Sequence, residues 1–124
     1  MTDQFSTKIP ENALTPLLEI GAQIGFDPTS STEAEDFFVD LIRQFTGADD
    51  NLKDWLQKQL ADRFKCVDTK PDWIQNPSWP FTPTGPMMFM GQINVPPGLF
   101  HDEASFYVFY DLQSGATRTL LQVA

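Results

Sequence analysis

The distribution of proline divides this chain in two and limits what each part can become. Seven of the ten prolines fall after Lys70, at positions 71, 77, 80, 83, 86, 96 and 97. A proline inside a helix removes a backbone donor and clashes with the preceding turn, at a cost of ~3 kcal/mol. Continued helix is therefore excluded between residues 71 and 97, and that stretch is read as loop and strand. Helices are expected in the part before it.

Three helices are predicted there. Thr15-Pro16 reads as an N-cap followed by proline at the first helical position. Leu17, Leu18, Ile20 and Ile24 form its partly amphipathic run, and Gly25 is placed to stop it. Thr32 and Glu35 have the spacing of a capping box for the second helix. Glu33, Glu35 and Asp36 occupy its first turn, where the helix dipole favours anions. Phe37, Phe38, Leu41, Ile42 and Phe45 share one face, and Gly47 marks the end. A third helix, capped by Asp49 or Asp50, carries Leu52, Trp55, Leu56, Leu60 and Phe64 at steps of three and four. The second and third helices each have one apolar face and are expected to pack as an antiparallel pair.

Residues 71–86 read as an ordered, aromatic-rich loop or irregular edge. Met87 to Val95 suits a strand with Met87, Phe89, Ile93 and Val95 on one face. Phe106 to Asp111 is rich in β-forming aromatics, Gln113-Ser114-Gly115 is a turn, and Thr117 to Val123 returns as a strand. The fold class expected is α+β: N-terminal antiparallel helices packed on a small C-terminal antiparallel β-sheet. The helical part spans 13–65 and the β-rich part 71–124. Each part is too small to fold well alone, so residues 1–124 are read as a single domain.

Charge follows the same division. Residues 1–72 hold 14 Asp/Glu and 7 Lys/Arg, whereas residues 73–124 hold 3 acids and 1 Arg, within a total net charge of −9. A field of this sign repels phosphate backbones and anionic membranes and favours basic partners. Nucleic-acid binding is disfavoured, because no basic patch with interleaved aromatics is present. The single cysteine, Cys66, allows no internal disulfide, which fits a reducing compartment. Met1-Thr2-Asp3-Gln4 does not resemble a signal peptide, and no apolar stretch approaches the ~20 residues that span a bilayer. A cytoplasmic location is expected.

Catalytic chemistry has little to work with. Cys66 follows an apolar helix end, and His101 is the only histidine available to activate it. His101-Asp102-Glu103 is the one cluster with ligand chemistry for a cation. Three consecutive residues rarely converge on one ion, and the triplet reads as the solvated entrance to the 105–123 hairpin. No phosphate-cradling glycine loop is present, since Gly85, Gly91 and Gly98 are too far apart. No enzyme activity, cofactor or metal is therefore expected. Trp73, Trp79 and Phe81, held among prolines, read either as anchors for a partner or as a cap folded back over the sheet.

Pro71-Asp72-Trp73-Ile74-Gln75, Pro86-Met87-Met88-Phe89-Met90-Gly91-Gln92-Ile93, Phe106-Tyr107-Val108-Phe109-Tyr110-Asp111 and the closing Leu121-Gln122-Val123 together resemble the YwqG-like family of bacterial proteins. There a P-[DE]-W-[IL]-Q segment precedes a P-M-x-F-x-x-Q strand and an aromatic strand. The resemblance covers about the C-terminal 50 residues. It implies a β-rich fold in a set of binding or accessory proteins, and it brings no catalytic residues. The helical residues 13–65 have no counterpart in it.

The function expected is protein binding, in the manner of a bacterial immunity or antitoxin-like protein that neutralises a basic toxin. Glu33, Asp36, Asp40, Asp50, Asp54 and Asp62 are the expected partner-binding acids, with Trp73 and Trp79 as possible anchors. The alternatives are a ligand-binding or enzymatic pocket lined by Trp73, Trp79, Phe89 and Tyr107, and self-association through an exposed sheet edge.

Overall fold

The computed structural model describes residues 7–96, 98 and 102–124. Three helices, α1 (Glu11–Ile24), α2 (Thr32–Arg43) and α3 (Leu52–Arg63), precede five strands. β1 (Phe81–Thr82) and β2 (Gly85–Pro86) form a short hairpin. β3 (Met88–Val95), β4 (Ala104–Tyr110) and β5 (Thr117–Val123) form an antiparallel meander in that order. The α+β class and the N-terminal placement of the helices are as expected.

Each helix differs from the sequence reading in its start. α1 begins at Glu11 and contains Pro16 in its interior. Burial of Ile9 and Ala13 draws the earlier residues into the helix, and this burial outweighs the intrahelical bond that a proline cannot make. The cap of α2 is Ser31, in extended backbone, whose hydroxyl accepts from the Ala34 amide at 3.1 Å. Glu35 is then one residue too late for a capping box. Instead its carboxylate accepts from the Thr7 hydroxyl at 2.9 Å and the Lys8 amide at 3.0 Å, which ties the lead-in segment to α2. Asp49 and Asp50 belong to a 3₁₀ turn that runs into α3 and make no side-chain cap bond.

The end of α1 shows why glycine stands within it. Gly25 adopts the left-handed conformation that terminates helices (φ 109°), and the amides of Gly25 and Phe26 both donate to the Gly21 carbonyl. A β-carbon on Gly21 would collide with the Phe26 carbonyl oxygen. Gly21→Ala should therefore destabilise the fold by ~1–3 kcal/mol despite the higher helix propensity of alanine, which a denaturant melt will measure.

The principal helix–helix contact is α1 with α3. Lys53 Nζ lies 3.4 Å from Glu19 Oε1, and Gln57 Nε2 donates to Gln23 Oε1 at 3.3 Å. Successive turns of α3 thus meet successive turns of α1, and the two run in the same direction. The expected pair of α2 and α3 is thus not the principal helix contact, and Phe26 packs on aromatic rings of both. Its ring centroid is 5.1 Å from that of Phe38 and 4.5 Å from that of Phe64. α2 turns its remaining apolar face to the β1–β2 hairpin, with Phe37 against Phe81.

One buried cluster runs through both parts of the chain. Phe64 meets Trp79 edge-on at 5.0 Å, Trp79 meets Phe109 at 5.5 Å, and Phe109 meets Phe89 at 5.2 Å. The segment around residues 71–79 is laced to the inner face of the sheet by side-chain bonds. Tyr107 Oη accepts from the Ile74 amide and donates to the Asp72 carbonyl. Gln92 bonds both the amide and the carbonyl of Asp72. Gln122 accepts from the Gln75 amide and donates to the Asn76 carbonyl. Gln75 itself donates to the Val123 carbonyl.

The register of β3 shifts between Phe89 and Gly91. This bulge moves Ile93 off the face that carries Met87 and Phe89, and Ile93 is 61% exposed. The β4–β5 turn is held by Asp111, which accepts from the Ser114 hydroxyl at 2.6 Å and from the Gln113 and Ser114 amides. The Ser114 hydroxyl bond, assisted by those amides, holds the Asp111 carboxyl below its ordinary value. Its stabilisation of the turn is present above the unfolded pKa of ~3.9 and is lost as pH falls through the depressed folded value. Amide protection of Gly115 and Ala116 should fall in that acid window, as hydrogen exchange will show.

Candidate functional site

The six acidic residues singled out by sequence fall into two groups. Glu33, Asp36 and Asp40 recur at helical spacing on α2 and line one wall of a cleft of about 390 Å³. The β1–β2 turn, Thr82-Pro83-Thr84, forms the opposite wall. Phe37 and Leu41 also line the cleft, and Arg63 and Gln44 complete its rim. Asp50, Asp54 and Asp62 are exposed residues of the 3₁₀ turn and α3 and do not line it. Lys58 stands at helical spacing between Asp54 and Asp62.

The carboxylates of the cleft are available to solvent. Asp36 pairs with Lys8 at 3.0 Å and Asp40 with Arg43 at 3.4 Å, yet the acid side chains keep 56% and 73% of their exposure. Exposed pairs of this kind contribute ~0–1 kcal/mol and exchange readily with other cations. Glu33, Asp50, Asp54 and Asp62 make no ion pair among the described residues. Arg63 does not neutralise the cleft acids directly. Its guanidinium is held by the carbonyl and side chain of Gln59, each at 2.9 Å.

The two tryptophans have other work. Trp79 is 1% exposed and its indole N–H donates to the Met87 carbonyl at 2.8 Å. Trp73 stacks on Tyr107 at 4.5 Å, and its indole N–H donates to the Gly25 carbonyl at 2.7 Å. Trp79 is not a free anchor for a partner, Trp73 is part-buried, and both close the space between helices and sheet. The pocket expected between Trp73, Trp79, Phe89 and Tyr107 is filled by these same rings. A shallower recess of about 460 Å³ does lie beside Trp73, Gln92, Asn94 and Ser105. Its amides and hydroxyl bond one another, with Ser105 Oγ donating to Asn94 Oδ1 at 2.6 Å and Gln92 Nε2 donating to the same atom at 2.9 Å.

No group of metal ligands occurs among the described residues. His101 lies outside them, so the His101-Asp102-Glu103 triplet is not described as a cluster; Asp102 and Glu103 are exposed. Cys66 is half-buried and its backbone bridges to Phe89 at the sheet edge. Burial pushes its thiol pKa up, away from the thiolate a nucleophile needs. Every buried side-chain nitrogen or oxygen among the described residues has a hydrogen-bond partner.

No family model, curated protein or solved structure matches this chain. None of the described helices is long and apolar enough to cross a membrane.

The cleft is the feature that sequence reasoning missed. The acids of α2 carry a helical signal and were legible. The Thr82–Thr84 wall depends on a two-residue hairpin inside a proline-rich stretch, for which the sequence carries only the turn residues themselves.

Proposed function

We propose that this protein is a non-catalytic binding protein whose acidic helical layer engages a basic protein domain. Its sharper form is an immunity or antitoxin-like role in the cytoplasm, in which the acids cover the basic active surface of a toxin. The observation that carries this reading is the row Glu33, Asp36 and Asp40 along an open cleft, with carboxylates held only by exposed cations. A partner's arginine or lysine entering the cleft would replace Lys8 and Arg43 and lay its aliphatic stem on Phe37 and Leu41. The net charge of −9 would speed the encounter. Asp50, Asp54 and Asp62, exposed on the 3₁₀ turn and α3, extend the same field.

Co-expression of the tagged chain with each protein encoded beside its gene tests this. A basic product should co-purify, bind with sub-micromolar affinity and be released at high salt. If no such protein binds more tightly than micromolar, the proposal fails.

A further inference from the structure

The sheet has a second face, and among the described residues no helix packs closely on it. Residues of β4 alternate, so Ser105, Tyr107 and Phe109 point to the core while Phe106, Val108 and Tyr110 point away. The register then places Ile93, Phe106 and Leu121 in one row across the three strands. The next row is Gly91, Val108 and Thr119. None of these six belongs to the buried cluster or packs against it. Ile93 is 61% and Leu121 46% exposed. Arg118, the only charged residue in the three strands, pairs with Phe109 and so lies on the inner side.

We infer that this outer face is where a second copy of the chain docks, sheet on sheet, about a two-fold axis. Relief and charge point to that occupant. The row Ile93–Phe106–Leu121 is a ridge. The row beside it is lower, because Gly91 has no side chain and, its chain neighbours apart, nothing lies within 4 Å of where its β-carbon would be. Ridge and furrow lie two residues apart along the strands, ~7 Å. A two-fold axis between them seats the ridge of each copy in the furrow of the other, which is the self-complementarity an isologous interface requires.

Charge allows this pairing. Two copies of a −9 chain repel wherever their acids meet, but the outer face carries no charge. The helices and their acids lie on the far side of each sheet. A dimer would therefore keep both acidic clefts outward. Three strands of seven residues span about 14 by 24 Å, a footprint of ~340 Å². Two such footprints remove about 700 Å² before side-chain relief is counted, at the small end of protein interfaces, as a weak dimer requires. Aligned sheets pack ~10 Å apart, a distance that side chains of this size fill.

Light scattering on the full chain over a concentration series is the test. The wild type should show twice the mass of the 14.0 kDa chain at tens of micromolar. The double variant Ile93→Lys/Leu121→Lys buries two unpaired cations in the interface and should weaken the dimer by ~100-fold or more, with an unchanged circular dichroism spectrum. Gly91→Leu, which fills the furrow from a position with room for it, should also give a single-chain mass. Leu18→Lys, on the exposed side of α1, should leave the dimer intact. A wild type that stays at single-chain mass up to millimolar concentration overturns the inference. So does a folded Gly91→Leu variant that remains dimeric, since pairing through a strand edge would not feel the furrow. These readouts are masses of the chain alone and are independent of any basic partner.

Discussion

Trp79→Ala should cost ~3–5 kcal/mol of stability, the loss typical of removing a large buried aromatic. Trp79 is almost wholly buried and touches rings from both parts of the chain: Phe64 at the end of α3, Phe109 on β4 and Phe89 on β3. Removing the indole opens a cavity at the junction and also strips the Met87 carbonyl of its donor, which carries its own penalty. Domains of this size have ~5–15 kcal/mol in total, so the melting temperature should fall by about 10–20 °C. Trp79→Phe keeps most of the packing and should cost markedly less. An anchor for a partner would behave in the opposite way, with truncation weakening binding and leaving the melt nearly unchanged. Thermal melts of the two variants separate the cases.

Neutralising the cleft should act on binding and spare the fold. The variant Glu33→Gln/Asp36→Asn/Asp40→Asn keeps side-chain shape on the exposed face of α2 and removes only exposed ion pairs. Its stability should change by about 1 kcal/mol or less. Its association rate with a basic partner should fall by ~10-fold or more at low salt, because electrostatic steering contributes factors of 10 to 10³. The gap between wild type and variant should close as ionic strength rises and the Debye length shrinks to ~3 Å at 1 M. Stopped-flow or surface-binding kinetics across a salt series will show this. Equal rates for both proteins at low salt would remove the cleft from the binding surface.

How far the sequence could be read depended on whether an element is governed by local pattern. The apolar stripe of α3, Leu52, Leu56 and Leu60, is buried as its spacing requires, and the 105–123 hairpin follows from its β-forming residues and the Ser114-Gly115 turn. The misreadings arose where tertiary contacts override local grammar. Pro16 is tolerated in α1 because Ile9 and Ala13 need burial. The bulge after Phe89 reverses the facing of Ile93, and alternation alone gives no sign of it. Phe26 lies in the connection after α1, outside any periodic stripe, yet it packs on Phe38 of α2 and Phe64 at the end of α3. For the candidate site, the acids of α2 were legible and their setting was not. Trp73 and Trp79 were readable as aromatic and proline-held, but only the partners of their indole N–H groups show that they face inward.

The role of the cleft is tested most directly by mapping backbone amide shifts of the ¹⁵N-labelled chain as an arginine- and lysine-rich peptide is added at low salt. The shifts should concentrate on residues 33–44 of α2 and on Thr82 and Thr84 of the facing turn, and they should vanish in the Glu33→Gln/Asp36→Asn/Asp40→Asn variant. Shifts that instead gather on the outer face of the sheet, or that the neutralised variant reproduces unchanged, would contradict it.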